Sequence, residues 1–185
     1  MAKLTLKKST GLGDLSQGWK TVTISGAKKG RYDNNGTKYI DITFEEYDDK
    51  IKLRAHQKFI KATNEEFCIG NIFRYAGAGI QEAHDGVAEI DTKTPSHLIG
   101  KKIQVYFFKN AKGYTDISDN VCVAEPMKNI AEEWDEADIK ELKSEQTYRI
   151  EKYINEFVKP KANSDSWDAP SSNDSGPPEG DDDWD

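Results

Sequence analysis

Two cysteines and three histidines in 185 residues leave little material for a disulfide framework, a zinc site or a thiol- or imidazole-based catalytic centre. Cys68 and Cys122 stand alone in apolar surroundings with no CxxC spacing, which predicts buried thiols of a reducing compartment. His56, His84 and His97 are isolated, and there is no His-x-x-x-His pair, nucleophile elbow or phosphate-cradling glycine loop. Gly77-Ala78-Gly79 lacks the spacing and the preceding strand that such a loop needs, and reads as a helix stop. No apolar run reaches the length of a signal peptide or a membrane span, which predicts a soluble, cytoplasmic chain with no membrane partner. Asp85, Glu89 and Asp91 could join Asp41 or Asp116 around a cation, but scattered loop carboxylates are far more often solvated surface. A metal nuclease is therefore a distant alternative, and neither a metal nor another cofactor is expected.

Charge is distributed unevenly. Residues 1–61 carry 13 Lys/Arg against 7 Asp/Glu, whereas residues 161–185 carry 1 against 8. The acidic sequence pI of about 5.1 therefore comes from the end of the chain, and the positive charge is concentrated around the first strands.

The most informative stretch runs from Lys38 to His56. Tyr39 to Phe44 alternates apolar and polar, Glu46-Tyr47-Asp48-Asp49 reads as a turn, and Lys50 to His56 alternates again, predicting two half-buried strands. Ile40, Ile42 and Phe44 share a core face with Ile51, Leu53 and Ala55, which leaves Lys50, Lys52, Arg54 and His56 on the other face. Cations two residues apart on a strand are spaced by about 6.5–7 Å, close to the phosphate repeat of an extended nucleic-acid strand. An edge strand protected from aggregation by lysines has the same pattern.

Residues 1–18 read as a flexible basic arm. Trp19 to Gly26 alternates as a first strand with Val22 and Ile24 inward, followed by a basic, aromatic loop from Lys28 through Lys29, Arg31 and Tyr32 to an Asn35-Gly36 turn. Thr63-Asn64-Glu65-Glu66 fits a capping box for an amphipathic helix of about three to four turns over 63–76. Val87 to Ile90 reads as a short strand. Lys101 to Lys109 is a strand with Ile103, Val105 and Phe107 on one face and Lys102, Gln104, Tyr106 and Phe108 on the other, and Val121 to Ala124 completes a last strand. Asp135 reads as the N-cap of a long helix reaching Phe157, with one apolar face for the barrel or for a second copy of the chain. From Lys161 onward Ser, Asp, Gly and Pro dominate, a composition that cannot bury enough apolar surface to fold.

Three strands, a helix, then further strands is the order of an OB-fold, a five-stranded Greek-key barrel with its helix between strands three and four. The expected fold class is therefore mainly β with helices (α+β). The barrel spans 19–126, a C-terminal helix 127–160 and a disordered acidic tail 161–185. An SH3-like barrel or a sandwich would take the strands, but neither expects a helix at that point.

Binding single-stranded nucleic acid needs cations along the phosphates and exposed rings under the bases. The chain offers Lys28, Lys29, Arg31, Lys38, Lys50, Lys52, Arg54 and Lys58 for the first, and Trp19, Tyr32, Tyr39, Tyr47, Tyr106 and Phe108 for the second. Tyr39 is the best placed, opposite the face that buries Ile40 and Ile42. Tyr106 and Phe108 serve equally well to pack under the long helix. The tail repeats an acidic-plus-tryptophan pattern, around Trp167 and again at Asp181, Asp182, Asp183, Trp184 and Asp185. Such a peptide can dock on a basic groove of a partner or occupy the chain's own cleft.

A single OB-fold with a basic cleft, a long C-terminal helix and an acidic tail with an aromatic near its tip resembles the single-stranded DNA-binding proteins of bacteriophages. The resemblance implies a non-enzymatic protein that coats single strands in DNA replication, recombination or repair in the host bacterial cytoplasm. It also implies that the tail recruits replication or recombination proteins. By position Tyr39, Lys50, Lys52 and Arg54 match the family's strand-face binding residues, and Asp181 to Asp185 match its acidic tip. The alternative from another class is a protein-interaction module whose basic face takes an acidic protein.

Overall fold

The first strand, β1 (Gly18–Arg31), outruns its hydrophobic pattern: alternation ends near Gly26, yet the strand continues through Lys28-Lys29-Gly30. The computed structural model describes residues 13–159; the arm over 1–12 and the tail over 161–185 lie outside the described residues. Residues 13–17 of the expected arm lie against the sheet, with Leu15 packed on the core and the Tyr47 hydroxyl donating to the Asp14 carbonyl at 2.9 Å.

Register explains why β1 extends. Its first half pairs with β6 (Lys102–Lys109) and its second half with β2 (Lys38–Phe44), and the pairing slips by one residue between Ile24 and Gly26. A bulge of this kind bends a strand and increases its twist, so one strand can serve two neighbours and curl the sheet. The residues expected as a loop, Lys28, Lys29 and Arg31, thus belong to a ladder, and the turn is confined to the stretch between Tyr32 and Thr37.

The fold is mixed α+β, mainly strands. One curled antiparallel sheet runs β3 (Lys52–His56), β2, β1, β6 and β7 (Thr115–Ile117), with β8 (Cys122–Val123) also paired to β6. Two small hairpins stand apart, β4 (Ile80–Glu82) with β5 (Ala88–Ile90) and β9 (Met127–Lys128) with β10 (Glu133–Trp134). Inside the curl Val22, Ile24, Ile40, Ile42, Phe44, Leu53, Ala55, Ile103, Val105 and Phe107 are buried, as their alternation predicts. The two ends of the curl, β3 and β7, approach with Cα atoms within 8 Å but share no ladder.

The helix expected over 63–76 is shorter. It is α1 (Cys68–Tyr75), which buries Cys68, Ile72, Phe73 and Tyr75. Thr63 does not cap it. Its hydroxyl meets Glu65, while Asn64 takes a positive φ of 55° at the tip of a small hairpin bridged by Phe59 and Glu66. That hairpin uses the backbone groups of Lys58, Ile60, Glu65 and Phe67, so a helix can start only after it. Glu66 alone serves the helix end, its carboxylate accepting from the N–H groups of Cys68, Ile69 and Gly70 at 2.9 Å each. Gly77 ends the helix at φ +60°, a conformation that costs a glycine nothing.

The long helix α2 (Glu136–Tyr153) starts at Asp135, which forms a full capping box with Asp138. It lies on the outer face of β6. Trp19, Tyr106, Phe108, Ile150 and Ile154 form a second apolar cluster there, so β6 is buried on both faces over Ile103–Phe108. Cys122 is buried where β8 meets this helix, its Sγ 3.7 Å from the Ile139 carbonyl.

Replacing Ile150, 1% exposed, with Ala removes a buried side chain from that small cluster and is expected to cost about 2–4 kcal/mol in urea unfolding. Tyr148→Ala, at a position 70% exposed on the same helix, is expected to change stability by less than about 0.5 kcal/mol.

Candidate nucleic-acid interface

Where the curl stays open, between β3 and β7, lies a cleft of about 610 Å³. Lys50, Lys52, Arg54, His56 and Lys58 line one wall, and Thr115, Asp116, Ser118, Asp119 and Asn120 line the other. The strand alternation that buries Leu53 and Ala55 forces Lys52, Arg54 and His56 to the same outer side, so the predicted cationic row exists.

The row is not bare. Asp41 sits directly opposite Arg54 in the β2–β3 register, and the pair is bidentate, with Arg54 Nε donating to Oδ1 at 2.6 Å and Nη2 to Oδ2 at 2.7 Å. Lys52 Nζ reaches the same carboxylate at 3.1 Å. The Arg54 hydrogen bonds hold the Asp41 carboxyl below its ordinary range, and in return Asp41, then Tyr32, raises the Arg54 guanidinium further. At the far end Lys58 Nζ donates to Asp119 at 2.6 Å. Burial pulls that ammonium down, but the Asp119 hydrogen bond and charge outweigh it, so the group stays protonated. Lys50 is exposed at the mouth and belongs to no ion pair among the described residues. Sequence reading weighed Asp41 only as a cation ligand and missed its pairing with Arg54, although its place between Ile40 and Ile42 puts it on the same face as Tyr39.

The aromatic candidates divide sharply. Tyr39 and Tyr32 gather on the outer face with ring centroids 4.9 Å apart, and Tyr32 stacks on His56 at 5.7 Å. Arg54 lies over Tyr39 at 4.3 Å, and the ring lies across Gly30 so closely that a Cβ there would fall 2.2 Å from it. Tyr32 Oη also takes a hydrogen bond from Arg54 Nη1 at 3.2 Å. These two rings therefore brace Arg54 while keeping part of their surface open.

Three other rings are not available to a strand. Tyr47 is buried with its ring against Phe107. Tyr106 is buried under α2, and Trp19 packs on it edge-on while its Nε1 donates to Thr147 at 2.8 Å. Trp19 and Tyr47 were expected on a binding face and Tyr106 either there or under the long helix; α2 covers Trp19 and Tyr106 from outside, whereas Tyr47 turns into the core. Phe108 is also buried, but its edge lines the cleft floor.

Of the remaining cations, Lys28, Arg31 and Lys38 are exposed on the β1–β2 hairpin and do not line the cleft. Lys29 donates to the Lys93 carbonyl and Arg31 Nε to the Gly36 carbonyl, so both help to fix the local backbone. Tyr153 and Phe157, which belong to the apolar positions expected to cover the barrel or to meet a second copy of the chain, are 51% and 70% exposed, and Tyr153 lines the cleft. Trp167, Asp181, Asp182, Asp183, Trp184 and Asp185 lie outside the described residues.

Among the described residues no three His, Cys, Asp or Glu side chains gather as metal ligands would. Asp91 instead accepts from the Thr94 hydroxyl at 2.7 Å, and Asp41 is engaged by two cations. No helix among the described residues is long and apolar enough to cross a membrane. No family model matches the chain, and no curated protein matches it either.

Because the folded Asp41 carboxyl titrates below its ordinary value of 3.8, its contribution is complete above that value and is lost as pH falls through the folded pKa. Asp41→Asn is expected to cost about 1 kcal/mol at pH 7, since the guanidinium keeps some solvent. In unfolding measured from pH 6 to pH 2, the wild-type advantage over Asp41→Asn should shrink in the acid range. Gly30→Ala should displace Tyr39 and destabilise by about 1–3 kcal/mol, with a matching change in the tyrosine near-ultraviolet circular dichroism.

Proposed function

We propose that the chain is a sequence-independent single-stranded DNA-binding protein without enzymatic activity. The observation that carries this reading is the open cleft, in which Lys50, Lys52, Arg54 and Lys58 follow one strand edge at a spacing suited to successive phosphates while exposed aromatic rings stand nearby. A cleft open along its length takes a flexible strand and excludes a duplex, whose two backbones are too far apart to share one narrow wall.

The curled sheet is read as a five-stranded OB-fold Greek-key barrel formed by β1, β2, β3, β6 and β7. The β4–β5 hairpin is then an insertion, and α1 stands between the third and fourth barrel strands. The sheet order and the approach of β3 to β7 support this. The same reading assigns a role in phage DNA replication, recombination or repair in the bacterial cytoplasm. The acidic tail then recruits replication or recombination proteins and competes for the cleft.

Asp41 sets the affinity. A phosphate must replace it as the partner of Lys52 and Arg54, so a built-in carboxylate competes with every phosphate at that position. Because Asp41, Asp116 and Asp119 offset most of the cationic wall, a protein-interaction module is the second reading.

Affinity of the full chain for labelled oligo-dT and for duplex DNA, across a salt series, separates the two. Four neutralised phosphates give a slope of log K against log salt of about −3 for a single strand. Asp41→Asn should bind more tightly, and a variant ending at residue 160 should do the same. Equal or absent binding of both DNA forms would leave the interaction module in front.

A further inference from the structure

After Tyr153 the helix changes pitch. Ile154–Val158 is a π-helical turn, closed by an i→i+5 hydrogen bond from Lys159 N to the Ile154 carbonyl at 2.9 Å. The extra residue leaves Ile154 buried at 8% while Phe157 comes out 70% exposed. Such turns are rare, and they collect at functional sites because they re-aim side chains at a cost in helix geometry. Here the result is a touching pair. Tyr153 and Phe157 have ring centroids 5.4 Å apart with an interplanar angle of 36°.

The pair is held and placed. Phe108, on the cleft floor, meets Tyr153 edge-on at 6.4 Å and 81°. The buried Ile150 and Ile154 on the same helix fix it to the sheet, so little freedom remains to be lost on stacking. Tyr153 and Lys58 both line this cleft. An isolated exposed ring, such as Tyr114 or Tyr148, is ordinary surface. Two rings in contact, one of them lining a cationic cleft, form a surface matched to a planar, uncharged group attached to an anionic backbone.

We infer that Tyr153 and Phe157 form a base-stacking platform at the edge of the cleft, taking unpaired bases of a strand whose phosphates lie along β3. The inference rests on the single-strand reading above and extends the interface from the sheet onto the C-terminal helix. It also explains why this helix, after covering Tyr106, carries large rings outward on the side of the cleft.

The test compares two probes of equal length and charge, oligo-dT and an abasic phosphodiester oligomer, bound to the full chain and to Tyr153→Ala, Phe157→Ala and the double variant. Loss of one stacked base should weaken oligo-dT binding about 5- to 150-fold and leave abasic binding unchanged, the range that about 1–3 kcal/mol per base corresponds to. Phe157→Tyr, which keeps a ring, should restore what Phe157→Ala loses. Equal losses on both probes, or undiminished oligo-dT binding by variants of a wild type that binds, would overturn the platform while leaving the single-strand reading intact. A wild type that binds no single strand would overturn both. Phe157 is exposed enough that Phe157→Ala should unfold at the wild-type temperature, so the comparison survives if Tyr153→Ala loosens the helix.

Discussion

Burial of β6 on both faces is the constraint from which the rest of the molecule follows. Six consecutive side chains, Ile103 to Phe108, are shielded, one set by the inside of the curl and the other by α2. Each face needs its own cover, so the chain must supply both a closed-up sheet and a helix. The bulge in β1 lets one strand border β6 and still reach β2, and the helix must return across the sheet to shield Tyr106 and Phe108. Gln104, the polar member of the run, is reconciled by donating to the Val123 carbonyl at 2.8 Å and accepting from Lys143 at 2.7 Å. With β6 committed in this way, the opening between β3 and β7 is what remains of the sheet's circumference.

The electrostatics of that opening are those of a compensated site. A cationic wall with no counter-charge would bind any anion and would destabilise its own strand by repulsion between Lys52 and Arg54. Asp41 removes the repulsion and fixes the guanidinium in one orientation, with Tyr39 beneath it and Tyr32 beside it. The cleft is therefore shaped in advance but only weakly charged.

Much of this was legible in the sequence because the relevant patterns are local. Alternation at 39–44 and 50–56 identified the two strands and their outer faces, although the second starts only at Lys52, and Asp135 announced α2. What stayed hidden depends on partners distant in the chain. Lys28-Lys29-Gly30 is polar on both sides, so nothing local marked it as strand. Thr63 to Glu66 satisfies a capping pattern, yet a hairpin that closes through Phe59 claims the same backbone groups. Trp19 looks like a free ring, and Tyr106 reads equally as a free or a packed one, until α2 is laid over them. The outward turn of Phe157 hinges on a one-residue change of helical pitch that no periodicity of 3.6 anticipates.

The two thiols bear on how the molecule opens. Burial holds Cys68 well above the ordinary thiol range and lifts Cys122 to about 11, so at neutral pH neither presents appreciable thiolate to an alkylating reagent. Each sits at a different seam: Cys68 at the start of α1, with its Sγ 3.5 Å from Asp119 beside the cleft, and Cys122 under α2. Alkylation at each position thus clocks a separate breathing motion, one loosening the cleft wall and the other lifting the helix, and the native chain carries both reporters without added labels.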